Sequence, residues 1–79
     1  GVSDQVTDGV YAVGTDMAPG RYKTAGGGSI GMCAWTVSTD GSKDFDKVVD
    51  GGSSAGQMYA TVKAGQYFET VGGCTWTTV

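Results

Sequence analysis

A cysteine stands two residues before a tryptophan twice in this chain, at Cys33 and Trp35 and again at Cys74 and Trp76. Residues two apart in a β-strand point to the same side of the sheet, so each copy places a thiol beside an indole. We predict that the two cysteines form a disulfide and that the tryptophans cover it in the core. The alternatives are two buried free thiols and a solvent-facing aromatic platform. A disulfide indicates an oxidising compartment outside the cytoplasm.

The length of the chain makes such a covalent link valuable. A domain of 79 residues buries only about 60% of the surface that its unfolded chain exposes, so its core alone is marginally stabilising. The loop closed by the two cysteines holds about 42 residues, and loop-closure entropy then gives a stabilisation on the order of 4 kcal/mol. We therefore expect reduction to lower the melting temperature sharply.

The residue usage predicts an all-β fold. The chain has ten Val, ten Thr and no Leu, and its 15 glycines separate short alternating hydrophobic segments. β-Branched residues suit a pleated sheet, whereas Leu is typical of amphipathic helices. We predict a compact antiparallel β-sandwich or small barrel of about seven short strands. The predicted strands are residues 9–13, 21–24, 33–39, 45–49, 58–63, 66–70 and 74–78.

The ends and turns of the predicted domain follow from the same pattern. Residues 1–7 are expected to be a flexible lead-in in which Val6 is too isolated to pack, and residues 8–79 a single β domain. Asp40 and Gly41 are typical of a tight hairpin turn between two strands.

Charge and residue types exclude several classes of function. The net charge is −3 and the five cationic residues form no cluster, which argues against nucleic-acid binding. No apolar run is long enough for a membrane span. The chain has no histidine, the usual general base and metal ligand, and two cysteines cannot complete a zinc site. We expect no enzymatic activity, no cofactor and no metal.

One acidic segment offers several carboxylates, the ligands that calcium prefers. Its four aspartates are Asp40, Asp44, Asp46 and Asp50. Their spacing fits no EF-hand loop, and two lysines are interleaved with them. We interpret the segment as a solvated strand edge whose charges deter aggregation.

Tyrosines are the most plausible binding residues. We expect Tyr22, Tyr59 and Tyr67 to point outward, and we place Arg21 on the same candidate binding surface. Alternation supports this for Tyr59, which is opposite in phase to Met58, Ala60 and Val62, and for Tyr67, which is opposite in phase to Phe68. Exposed tyrosines stack on sugars or anchor protein interfaces. The alternative is ordinary cross-strand pairing.

Two longer segments extend the pattern beyond the Cys-x-Trp pair. Residues 8–24 read DGVYAVGTDMAPGRYKT, and residues 68–76 read FETVGGCTW. With the first Cys-x-Trp between them, they resemble a small domain common in secreted proteins and lipoproteins of actinobacteria and their phages. The resemblance covers nearly all of residues 8–77. Ala34 stands where that family usually has an aromatic residue, and one extra glycine precedes Cys74. The resemblance implies an exported, envelope-associated domain and transfers no catalytic residues.

We therefore expect a non-catalytic extracellular binding module at the cell envelope, whose partner is a protein or a cell-wall glycan. One alternative is a small secreted or phage-encoded inhibitor or exclusion factor. Another is a structural surface or virion decoration subunit, which would self-associate through its exposed edge strands.

Overall fold

Two four-stranded antiparallel sheets face each other in the computed structural model, which describes residues 3–42 and 44–79. Sheet I has the strand order β1-β8-β3-β6, and sheet II has the order β2-β7-β4-β5. The prediction of an all-β fold is confirmed, with eight strands arranged as a sandwich. The strands are β1 (Gln5–Val6), β2 (Gly9–Ala12), β3 (Gly20–Thr24), β4 (Cys33–Ser38), β5 (Val48–Ser54), β6 (Met58–Val62), β7 (Tyr67–Val71) and β8 (Trp76–Thr78).

The core lies between the sheets and is built by alternation along each strand. In β3, for example, Tyr22 and Thr24 are buried while Arg21 and Lys23 are exposed. The buried apolar cluster consists of Val6, Val13, Met17, Tyr22, Trp35, Val37, Ala60, Val62, Phe68 and Trp76.

Three aromatic rings form the centre of this core. The Phe68 and Trp76 ring centroids are 5.3 Å apart and nearly perpendicular, and Trp35 lies 5.9 Å from Trp76 in a similar edge-on arrangement. The indole Nε1 of Trp76 donates a 2.9 Å hydrogen bond to Oγ1 of Thr70, and both residues are fully buried. The polar atoms that these two side chains bring into the core are therefore satisfied.

The predicted disulfide between Cys33 and Cys74 is confirmed. It joins the start of β4 to the loop before β8, both cysteines are buried, and their Cα atoms are 6.1 Å apart. Backbones pass very close together here. A Cβ on Gly72, which has a φ of +109°, would overlap the carbonyl oxygen of Met32. Glycine is therefore required at this turn for both its conformation and its size.

The start of the ordered domain differs from the sequence prediction. Val6 was expected to lie in a flexible lead-in, but it pairs with Trp76 in the β1–β8 ladder and is 2% exposed. Tyr11 stabilises the link to β2, because its hydroxyl donates a 2.8 Å hydrogen bond to the carbonyl oxygen of Thr7. A two-residue strand is too short to show a periodic pattern, so this pairing could not be predicted from local residues. Residues 1 and 2 lie outside the described residues.

The predicted strand at residues 45–49 is wrong. Phe45–Lys47 forms a single turn of 3-10 helix, and β5 begins at Val48 and continues through the two glycines that were expected to end it. Asp40 and Gly41 do not form a two-residue hairpin turn, since residues 39–47 connect the strands and the Thr39 amide donates to the Lys47 carbonyl. Lys43 lies outside the described residues.

Asp40 instead organises its own local turn. Its Oδ1 accepts hydrogen bonds from the hydroxyl of Ser42 at 2.6 Å and from the amide of the same residue at 3.0 Å. These bonds stabilise the ionised carboxylate and hold the pKa of Asp40 below its ordinary value. The aspartate therefore serves loop structure, as an Asx turn.

Candidate functional site

The four residues predicted to form one binding surface lie in three different places. Arg21 and Tyr59 are exposed on sheet I, and Tyr67 is half-buried on the outer side of sheet II. The prediction that Tyr22 points outward is wrong, because it is fully buried. Its hydroxyl donates a 2.7 Å hydrogen bond to the carbonyl oxygen of Ala18. The period-two pattern of β3 explains this, since it turns Arg21 outward and Tyr22 inward.

The buried Tyr22 hydroxyl gives the fold a specific alkaline pH dependence. Burial raises the pKa of Tyr22 above its ordinary value of 10.0, and the nearby negative charge of Asp4 raises it further. The folded state thus favours the protonated hydroxyl. This contribution is complete below the unfolded pKa of about 10 and is lost as the pH rises through the folded value.

We expect Tyr22→Phe to lower the free energy of unfolding by about 1 kcal/mol at neutral pH, because the bond to Ala18 is lost. The variant should also lose less stability than the parent protein above about pH 10. Urea unfolding at a series of pH values measures both effects, with Tyr59→Phe as the exposed control. Parallel pH profiles for Tyr22→Phe and the parent protein would contradict the assignment.

The outer side of sheet I carries what we call the cationic face, which is formed by Gln5, Arg21, Lys23, Tyr59, Thr61 and Thr77. Cross-strand pairing aligns Tyr59 with Lys23, Lys23 with Thr77, and Thr77 with Gln5, so one row of side chains crosses all four strands. Arg21 and Thr61 form the adjoining pair. The surface is therefore continuous across the sheet and rich in hydrogen-bonding groups.

Two contacts fix the most prominent side chains of the cationic face. The guanidinium carbon of Arg21 lies 4.3 Å from the ring centroid of Tyr59, within the range of a cation–π contact. Nε2 of Gln57 donates a 3.0 Å hydrogen bond to the Tyr59 hydroxyl. The ring is thus held by a cation over one side and an amide at its tip. Both side chains lose part of their conformational freedom before any ligand binds.

A cleft of about 470 Å³ adjoins the cationic face. The side chains that line this cleft supply one ammonium group, one amide and several hydroxyls. Such groups suit a ligand that carries negative charge and many oxygen atoms. The cleft is lined by Lys23, Thr24, Ala25, Gln57, Thr75 and Thr77.

The outer side of sheet II is different in character. An open groove of about 460 Å³, which we call the edge groove, runs over β4 and β5 toward β7. Two cross-strand rows form it: Val71, Ala34 and Ser53 in one, and Glu69, Thr36 and Gly51 in the other. The groove exists because the residues over β4 and β5 are small.

Six large apolar residues are exposed on the strands of sheet II or in the segments before β4 and β5. They are Val10, Ile30, Met32, Phe45, Val49 and Val71. Sequence reasoning missed this side of the molecule. Sequence alone could not show that Ala34, Gly51 and Glu69 face the same groove from neighbouring strands.

The described residues contain no group of three or more His, Cys, Asp or Glu side chains arranged to hold a metal ion. Asp44, Asp46 and Asp50 are all exposed. Across residues 3–42 and 44–79, no helix has the length and apolar character needed to cross a membrane.

Comparison with known proteins places this fold in a family. Residues 3–77 match the family described as the Rv1352-like extracellular domain. The uncharacterized proteins Rv1352 of Mycobacterium tuberculosis and Mb1387 of Mycobacterium bovis are each 30% identical to the chain over 66 residues. The matched region is 70% of this chain and 54% of each relative, so the chain spans about half the length of the curated relatives it matches. No solved structure matches the chain. The disulfide agrees with an extracellular location, and the chain belongs to the Rv1352-like extracellular domain family.

Proposed function

We propose that this extracellular domain is a non-catalytic binding module of the cell envelope, and that its cationic face binds an acid-bearing polysaccharide. The observation that carries the proposal is the stacking of Arg21 on Tyr59 beside a cleft rich in hydroxyl groups. A surface whose cation and aromatic ring are already held in place suits a ligand with ring hydroxyls and carboxylates.

The charges of the cationic face are open to a ligand. Neither Arg21 nor Lys23 forms an ion pair with any residue in the described part of the chain, and both are exposed. A guanidinium stacked on a ring still presents its N–H groups at the rim, where a carboxylate can accept two of them. Lys23 lies two residues further along β3, where it lines the cleft, and can meet a second acidic group along the same polymer.

The absence of histidine from the chain supports a non-catalytic role. Acid–base and nucleophilic catalysis mostly use a histidine or a carboxylate with a raised pKa in a cleft. The cleft beside the cationic face is lined by Lys, Thr, Ala and Gln side chains and contains no carboxylate. These side chains can bind a ligand through charge and hydrogen bonds.

Binding of polygalacturonate, a polymer of uronic acid, tests the proposal. We expect the oxidised domain to bind polygalacturonate and not neutral dextran, with an affinity that falls as salt is added. Arg21→Ala should weaken binding about tenfold, which is the effect of losing one charge-assisted contact of roughly 1.4 kcal/mol. Isothermal titration calorimetry measures the affinities.

Lys63→Ala is the matched control, because it removes the same charge from an exposed residue between β6 and β7. An equal loss of affinity in Arg21→Ala and Lys63→Ala would mean that only the net charge matters, which would contradict a specific site. Equal binding of dextran and polygalacturonate would contradict the choice of an acidic ligand. A lipid anchor, a phage origin, an inhibitory role and a structural role stay predictions from the sequence.

A further inference from the structure

Strand β5 leaves one edge of sheet II unpaired. It pairs with β4 on one side, and in the described part of the chain no strand pairs with its other side. At seven residues β5 is longer than the other described strands, and Val49 through Ser53 are exposed on both faces of the sheet. An edge of this length presents a row of backbone donors and acceptors to an incoming strand.

The edge groove lies directly beside this free edge. Gly51 and Ser53 belong to β5, and Ala34 and Thr36 face them from β4. A strand added next to β5 would point alternate side chains to the same outer side of the sheet. Because Gly51 has no side chain and Ser53 a short one, long side chains could lean across β5 into the groove. Backbone pairing and a side-chain pocket therefore coincide at one place, the combination used in strand addition.

The charge of this region selects the partner. Residues 39–54 contain four aspartates and two lysines, and together with Glu69 they account for the whole net charge of −3. Asp50 lies on β5 itself and is exposed, and its Oδ1 accepts a 2.9 Å hydrogen bond from the amide of Gly51. Because Asp50 pairs with the buried Val37, its side chain lies on the face of β5 opposite the edge groove. A second copy of this chain would bring two such acidic segments together, which like-charge repulsion disfavours. A basic strand would be attracted.

We propose that the free edge of β5 binds an extended, basic segment of a partner protein as an added β-strand, whose alternate side chains occupy the edge groove. This site lies on the opposite sheet from the cationic face and is independent of polysaccharide binding. Backbone hydrogen bonds to β5 supply affinity. One set of alternate side chains fills the edge groove, and the other set lies on the face that carries Asp50, where negative charge supplies the preference for cationic residues.

Synthetic peptides test the proposal. The probe is a capped eight-residue peptide that alternates lysine with threonine and valine, and the comparison peptide carries glutamate in place of lysine. We expect the basic peptide to bind the oxidised domain at least tenfold more tightly than the acidic one, and to slow amide hydrogen exchange in Val49 through Ser53. A third peptide with proline at every other position loses the N–H donors of one edge, and its fixed φ disfavours an extended β-strand, so it should bind at least tenfold more weakly than the basic peptide.

Two variants and their controls locate the site. Ala34→Tyr fills the groove and should weaken binding of the basic peptide about tenfold, whereas Thr61→Tyr, a matched change on the outer side of sheet I, should not. Asp50→Lys should reverse the preference between basic and acidic peptides, whereas Asp4→Lys should not. Asp50→Lys therefore provides a test even where Ala34→Tyr disturbs folding.

Three results would overturn the proposal. Equal binding of the basic and proline peptides would exclude strand addition. An unchanged peptide preference in Asp50→Lys would place the peptide elsewhere. Concentration-dependent dimerisation that Asp50→Lys strengthens and that competes with the peptide would replace the basic partner with a second copy of the chain.

Discussion

Reduction of the disulfide between Cys33 and Cys74 is expected to lower the free energy of unfolding by about 4 kcal/mol, because the unfolded chain regains the entropy of a loop of roughly 42 residues. The bond joins β4, a strand of sheet II, to the segment that leads into β8, a strand of sheet I. For a domain of this size each kcal/mol corresponds to a shift of roughly 4–8 °C, so the melting temperature should fall by about 20 °C or more. Thermal and urea unfolding with and without reductant measure the change.

The double variant Cys33→Ser/Cys74→Ser should reproduce the effect of reduction without any reductant. Tyr59→Ala is the comparison, because Tyr59 is exposed on sheet I and lies outside the buried cluster. The cysteine variant should unfold at a much lower urea concentration than Tyr59→Ala. A melting curve that reduction leaves unchanged would show that the sandwich does not depend on the disulfide.

Truncation of Trp76 is expected to cost about 3–5 kcal/mol, the usual range for removing a fully buried large aromatic side chain. The change removes the packing partner of Trp35 and Phe68 together, and it leaves Oγ1 of Thr70 without its indole donor inside the core. Because a small domain has little stability in reserve, Trp76→Ala should be largely unfolded at 37 °C even when the disulfide is intact. Near-ultraviolet circular dichroism and urea unfolding follow the loss.

Phe45→Ala is the matched control for an aromatic truncation, because Phe45 is 95% exposed in the short 3-10 helix. We expect its effect on the free energy of unfolding to stay within about 0.5 kcal/mol. Trp76→Phe separates the two contributions, since it keeps most of the ring contacts and removes the hydrogen bond to Thr70. A Trp76→Ala variant as stable as Phe45→Ala would contradict the central position of the aromatic cluster.

Local chemistry predicted most of the fold. The Cys-x-Trp pair located the covalent link and two of the central rings, because a sheet forces residues two apart onto one face. The same rule correctly turned Tyr59 outward. For Tyr22 the rule shows only that it faces away from Arg21, and the pairing of β3 with β6 and β8 decides that Tyr22 is the buried one. A sequence does not state which face of an isolated five-residue strand will be covered.

The remaining errors share a physical cause, which is that tertiary pairing overrides weak local signals. Two adjacent glycines in residues 48–54 indicate a turn, yet pairing with β4 holds them in an extended strand. Val6 had no apolar neighbours in sequence, and its partner is Trp76, 70 residues away. The edge groove could not be predicted for the same reason, since Ala34, Gly51 and Glu69 meet only when three strands have found their register.

The order in which strands pair has a consequence for how the chain folds. Sheet I joins β1 to β8 and sheet II joins β2 to β7, so the first strands synthesised pair with the last. Neither sheet can form completely until about nine-tenths of the chain is available. Such non-local pairing makes folding slow compared with helical domains of the same size. Cys74 follows β7, so the disulfide with Cys33 also can close only when nearly the whole domain is available.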